Sequence, residues 1–179
     1  MPGEKSFAEK LILSFNEMGE QRILSRGDIL LKEGDVETNL YLVQAGAIRF
    51  FYLSEFEEQT IRFGYKGSLI NSLSSFSKAI PSEFYIEAIK KSTIKIISKD
   101  SLLKLVQENE ESLRQYIQLL ETSITQQIDW EIDLLISSPA ERLKRVLERS
   151  PNLFQEIPLK YIASYLRMKP ETLSRIRNS

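Results

Sequence analysis

The chain contains no cysteine and no histidine. The first absence excludes disulfides, thiolate zinc sites and cysteine-held iron–sulfur clusters. The second removes the commonest catalytic base and a frequent metal ligand. Carboxylates alone could hold a metal, but no clustered spacing for one is visible. No glycine run of the phosphate-cradling kind is present either. No catalytic residue, metal or required cofactor is therefore expected, and an enzyme is the disfavoured class. No stretch approaches the ~20 apolar residues of a membrane span. Met1-Pro2-Gly3-Glu4-Lys5 is not followed by the apolar core of a signal peptide. The expectation is a cytoplasmic protein with no membrane partner.

What is present is ordinary in amount and uneven in distribution. The 179 residues, 42% hydrophobic and 27% charged, leave room for one large domain or two small ones. Net charge is −1, yet the stretch from Ala140 to Ser179 carries nine Lys/Arg against four Asp/Glu. A basic tail on an acidic body is the asymmetry of a nucleic-acid-binding end.

Hydrophobic patterning divides the chain. Phe7, Leu11, Ile12 and Phe15 predict a short amphipathic helix over 7–18. Short apolar runs separated by turns follow: Ile29–Leu31, Leu40–Val43, Ile48–Leu53, Thr60–Tyr65, Phe84–Ile89 and Thr93–Ile97. In Thr60–Tyr65 the alternation places Ile61, Phe63 and Tyr65 on one face and Arg62 on the other. Turn signals every 8–12 residues predict a β-sandwich or barrel. After Lys99 the period becomes helical, with Asp100 or Ser101 as the cap of a short helix ending at Val106. Glu110–Ile136 then runs without Gly or Pro. Leu113, Ile117, Leu120, Ile124 and Ile128 form one stripe along about 40 Å of helix. A small β-domain cannot bury such a stripe, so packing against a partner helix in a homodimer is expected. A core helix within one chain is the alternative. Ser137-Ser138-Pro139 breaks the helix, and Ser138, Pro139 and Glu141 begin the next in the manner of a capping box. The segments are 1–109, 110–137 and 138–179.

The C-terminal segment carries the most specific pattern. A first helix is predicted from about Leu159 to Leu166 and a second from near Lys169, because Pro170 suits only a first helical turn. Ile162, Leu166, Met168, Leu173 and Ile176 would share a core, with Ala163 at the closest approach. This is the spacing of a helix-turn-helix, with Arg167 at the turn position usually held by glycine. The outer face of the second helix presents Lys169, Glu171, Thr172, Ser174, Arg175 and Arg177. Arginine can donate two hydrogen bonds to guanine and glutamate can accept from cytosine. Double-stranded DNA is the expected partner. An ordinary helical hairpin is the structural alternative. An interaction or ligand-sensing module with a degenerate helix-turn-helix is the functional one.

The order of these elements resembles the Crp–Fnr family of transcription regulators over roughly Ile23 to Arg177. The resemblance is carried by Leu30-Leu31-Lys32-Glu33-Gly34-Asp35, Leu40-Tyr41-Leu42-Val43-Gln44-Ala45-Gly46, Pro139-Ala140-Glu141-Arg142-Leu143 and Pro170-Glu171-Thr172-Leu173-Ser174-Arg175-Ile176. It implies an α+β chain: an N-terminal jelly-roll of the cyclic-nucleotide-binding type, a long dimerisation helix and a C-terminal helix-turn-helix without a clear wing. It also implies that Glu171 and Arg175 contact bases, and it makes RNA polymerase a candidate partner. In cAMP-binding members a Gly-Glu-Leu run and an Arg-Ser pair hold the ribose and phosphate. Here those places resemble Asn71-Ser72-Leu73 and Ser82-Glu83. Loss of the arginine removes a charge-assisted contact, and Glu83 would repel an anion. Little or no cAMP binding is expected, and another small-molecule effector is left open. Asn71, Ser72, Ser74, Ser82 and Glu83 would line the pocket, with Gln127 reaching it from the long helix. Haem and iron–sulfur sensing of the family's kind are disfavoured, because Cys and His are absent. Only Asn178 and Ser179 follow Arg177, so a minimal DNA reader is expected.

Overall fold

Ser6 and Glu9 cap each other's backbone N–H groups and start α1 (Phe7–Glu17). The computed structural model describes residues 5–55 and 57–178. Phe7, Leu11 and Phe15 bury one face of α1 against Leu40, Phe76, Ile97 and Leu102.

Eight short strands follow: β1 (Glu20–Leu24), β2 (Ile29–Leu31), β3 (Asn39–Ala45), β4 (Ala47–Leu53), β5 (Glu58–Tyr65), β6 (Leu69–Ile70), β7 (Tyr85–Ala88) and β8 (Ser92–Ser98). They form two antiparallel four-stranded sheets, ordered β1-β8-β3-β6 and β2-β7-β4-β5. Leu24, Val43, Ile48, Phe50, Ile86 and Ile94 fill the roll between them. Gly46 makes the β3–β4 turn at φ 91°, and a Cβ there would lie 2.5 Å from the Lys91 carbonyl. A helix, α2 (Leu73–Lys78), links β6 to β7.

One strand departs from simple alternation. Phe50 pairs with Arg62 and Phe51 with Thr60, so Ile61 is bulged out of register. The bulge moves Ile61 to the roll core, whereas Phe63 and Tyr65 pack toward the C-terminal helices. Arg62 therefore turns its side chain over the ring of Phe50, which belongs to the roll core.

Ser98, rather than Asp100 or Ser101, caps α3 (Lys99–Val106) by accepting from the Ser101 N–H. Asn109 then caps α4 (Glu110–Leu135), 26 residues long. Ser138 caps α5 (Pro139–Arg149), with Pro139 in its first turn. Three shorter helices end the chain: α6 (Leu153–Glu156), α7 (Leu159–Tyr165) and α8 (Pro170–Arg177). Leu143 and Val146 of α5 share a core with Ile162, Leu166 and Leu173, which continues onto Ala47 of β4 and Ile89, just after β7.

The α7–α8 turn closes with a double hydrogen bond. Met168 N–H donates to the Ala163 carbonyl at 3.0 Å and Arg167 N–H to the Ser164 carbonyl at 3.1 Å. This pattern requires a left-handed residue after the helix. Arg167 adopts it, at φ 54°. A side chain in this conformation is strained, and the fold accepts that strain at the position where glycine is usual.

Candidate nucleic-acid interface and sensor pocket

Helix α8 is anchored from one side only. Leu173 is wholly buried, while Lys169, Glu171, Arg175 and Arg177 are exposed and Thr172 and Ser174 are half-buried. Pro170 occupies the first turn, where its missing N–H costs nothing. All six predicted contact residues thus lie on one short helix and its cap, whose apolar side is wholly buried Leu173 and partly buried Ile176. The basic tail divides by role. Arg142 donates to the Ile136 carbonyl at 2.8 Å, and Arg145 and Arg149 pair with Asp133. Lys144, Lys160 and Arg167 are exposed.

Asp133 was not singled out in the sequence. It sits in the last turn of α4 and is only 1% exposed. Its Oδ1 accepts from Arg145 Nε at 2.8 Å and its Oδ2 from Arg149. The two arginines are four residues apart and share one face of α5. The carboxylate therefore fixes α5 across the break at Ile136–Ser138.

The candidate pocket residues of the roll separate into two places. Ser72 and Ser82 are buried, and their hydroxyls lie 3.1 Å apart. Ser82 Oγ also donates to the Phe84 carbonyl at 2.9 Å. Each hydroxyl has a single proton. With that of Ser82 on Phe84, that of Ser72 must serve Ser82, and neither remains for an anion. Ser74 and Glu83 are exposed and Asn71 is half-buried. Nearby, buried Glu37 accepts from Asn39 N–H at 2.9 Å and from the Tyr41 hydroxyl at 3.0 Å. Burial raises the Glu37 carboxyl above the usual range against these hydrogen bonds. Burial first, then the Glu37 charge, raises the Tyr41 hydroxyl.

Gln127 lies elsewhere. It lines a cleft of about 600 Å³ between β5, α4 and the C-terminal helices, together with Arg62, Ser68, Trp130, Arg149 and Tyr165. Gln127 is exposed, and its amide donates to Glu131 at 3.3 Å. The guanidinium of Arg62 lies 5.0 Å from the Phe50 ring centre and 5.8 Å from that of Trp130. It donates to the Leu69 carbonyl at 3.2 Å. Burial lowers its pKa.

The edge strand β5 also receives α7. Ser164 Oγ accepts from Thr60 N–H at 3.0 Å and donates to the Glu58 carbonyl at 3.2 Å, meeting backbone groups that a sheet edge leaves open. Buried Arg49 pairs with Glu58 and Glu87 and lies between the rings of Phe51 and Tyr161, at 4.1 and 4.6 Å. Phe63 packs on Tyr165 with ring centres 5.4 Å apart.

Residues 21–109 match the family described as Cyclic nucleotide-binding domain. No curated protein sequence matches the chain. Among solved structures, FixK2 from Bradyrhizobium japonicum is 18% identical with a TM-score of 0.76, covering 89% of this chain and 83% of that one. A double mutant of CooA from Carboxydothermus hydrogenoformans is 16% identical with a TM-score of 0.70, covering 98% and 84%. The Catabolite Activator Protein of Thermus thermophilus is 22% identical with a TM-score of 0.57, covering 95% and 81%. The chain thus has a β-roll of the cyclic-nucleotide-binding type and shares the α+β fold of these regulators.

Proposed function

We propose that the chain is a homodimeric, sequence-specific DNA-binding transcription regulator whose roll does not take cAMP. The observation that carries the DNA-binding reading is α8, which turns Lys169, Glu171, Arg175 and Arg177 to the exposed side, with Thr172 and Ser174 half-buried between them, while Leu173 is buried. Helices α7 and α8, joined by the turn at Arg167, serve as the helix-turn-helix, and the N-terminal residues of α8 enter the major groove. Lys144, Lys160 and Arg167 are placed to contact phosphate, which positions without specifying sequence.

Dimerisation rests on α4. Leu113, Ile117, Ile124 and Ile128 are 46%, 45%, 57% and 50% exposed in the single chain, and Leu120 continues the row half-buried. A partner helix along this stripe would bury it and pair two reading heads on half-sites about one helical turn apart. The cAMP reading rests on the Ser72–Ser82 pair, which spends its protons internally where the related family holds its phosphate.

Selection of bound sequences from random duplexes tests the main reading. A two-fold site should be enriched, and Arg175→Ala and Glu171→Ala should each relax preference at one position per half-site, at a cost of about 1–3 kcal/mol. No enrichment at low salt would overturn it, and so would an unchanged preference in both variants. Titration calorimetry with cAMP should give no tight binding; a micromolar or tighter Kd would overturn that part.

A further inference from the structure

We propose that the seating of α7 on the edge of β5 locks the reading head in its DNA-competent position, so that operator binding needs no small-molecule effector. This control deepens the regulator reading, on which it rests. Ser164, Tyr161 and Arg49 are its positioning residues, and contact with bases is left to α8.

Three observations converge. The first is the polar bonding across the contact. Ser164 Oγ accepts from the Thr60 N–H at 3.0 Å and donates to the Glu58 carbonyl at 3.2 Å. One hydroxyl thus fills a donor and an acceptor of the sheet edge. Thr60 is wholly buried, and a buried donor left unmet costs more than a made bond returns. Arg49 adds a charged contact. Glu58 and Glu87 hold its guanidinium, and the ring of Tyr161, on α7, lies 4.6 Å from it. Lifting α7 would remove that ring and admit water to the Arg49–Glu87 pair, and a cation is held most strongly by a ring where water is absent.

The second observation is the shared core. Ala47, Phe63 and Ile89 of the roll pack in the same apolar cluster as Ile162 and Leu173. Phe63 meets Tyr165 with ring centres 5.4 Å apart, and Lys90 reaches Glu156 of α6 at 2.7 Å. Domains joined by small polar contacts move freely, whereas an apolar interface holds them. An effector acts only through its different affinities for two arrangements. A head bonded, paired and packed onto the roll leaves it no second arrangement of similar energy to select. The third observation is what the seat leaves open. Tyr161, Ser164 and Tyr165 belong to α7, and Lys169, Glu171, Arg175 and Arg177 are exposed with the seat made. The reading face is therefore uncovered. A head already in place binds DNA without the loss that a rarely populated competent state imposes.

The test uses the full chain, unfolded in urea and refolded to strip anything bound, and the duplex that random selection enriches. Refolded wild type should bind that duplex with a Kd of about 10⁻⁸ M or tighter at physiological salt. It should reject, by about tenfold or more, a duplex whose half-sites are moved apart by about five base pairs, half a helical turn. Ser164→Glu sets a carboxylate against the Glu58 carbonyl. It should bind about tenfold or more weakly and lose most of the spacing discrimination, with base preference inside each half-site unchanged. Ser164→Ala should shift both in the same direction by less, and keeps the test decisive if Ser164→Glu does not fold. Hydrogen exchange reads the seat without DNA: the Thr60 amide should exchange about tenfold or more faster in Ser164→Ala than in wild type. Equal or tighter DNA binding by the folded Ser164 variants would overturn the proposal, because the seat would then be idle or inhibitory. So would refolded wild type held to the non-specific range of about 10⁻⁶ M or weaker while protein never unfolded binds tightly. A protected Thr60 amide with no enriched duplex would instead overturn the DNA-binding reading, and the role of the seat with it, so the two failures are told apart.

Discussion

Asp133→Asn should weaken the junction between the long helix and the C-terminal helices more than any exposed substitution nearby. The wild-type carboxylate is only 1% exposed and serves Arg145 and Arg149 together. Asparagine keeps the shape and one acceptor, but its amide group faces a guanidinium with donors only. One charge-assisted hydrogen bond is lost and both arginines lose their counter-charge. Removing one partner of a fully buried pair costs about 3–5 kcal/mol. Here the arginine side chains are 36% and 26% exposed and can recover water. Solvent screening therefore brings the expected loss to about 2–3 kcal/mol. For a chain of this length that corresponds to roughly 5–10 °C in melting temperature. Trp130 stands one turn before Asp133 on α4 and reports urea unfolding by fluorescence. Glu131→Gln is the matched control, since Glu131 is exposed and should change stability by no more than about 0.5 kcal/mol. An Asp133→Asn loss below about 0.5 kcal/mol, equal to the control, would refute the clamp.

Three further outcomes are expected. Burial raises the Glu37 carboxyl, so the folded chain holds a proton there that the unfolded chain has released. That contribution is complete below the ordinary value of 4.5 and is lost as pH rises through the folded value. Glu37→Gln should therefore gain on wild type in urea unfolding between pH 4.5 and neutrality; a pH-independent difference would count against it. Arg167→Gly should relieve about 1–2 kcal/mol of left-handed strain and give back about 0.5–1 in chain entropy, for a small net gain in thermal stability. A clear loss would contradict the strain argument. Ile124→Asp, on the exposed stripe of α4, should leave the single chain's stability nearly unchanged while weakening self-association at least about a hundredfold, as sedimentation would read. Unaltered association would place the dimer contact elsewhere.

Much of this architecture was legible locally. The Ser138–Pro139 start of α5 and the Pro170 start of α8 stand where the residues required, because capping acts within three or four positions. The exposed stripe on α4 follows from a 3.6-residue period. Other elements left no such mark. β1 carries Glu20, Gln21 and Arg22 and buries only Leu24, so it has no alternation to read. The cap of α3 fell on Ser98, earlier than Asp100 or Ser101, because β8 passes directly into the helix.

The candidate site divides along the same line. From the amino-acid order alone come the polar face of α8, its proline start and the left-handed burden on Arg167, since all are set by residues within one turn of each other. The tertiary structure alone decided where Arg62 points, because a bulge depends on the register of β5 against β4. It alone joined Asp133 to residues 12 and 16 positions onward, paired Ser72 with Ser82, and set Gln127 in a cleft apart from them. Pairing between distant segments is settled by packing and sheet register, which no short window of sequence contains.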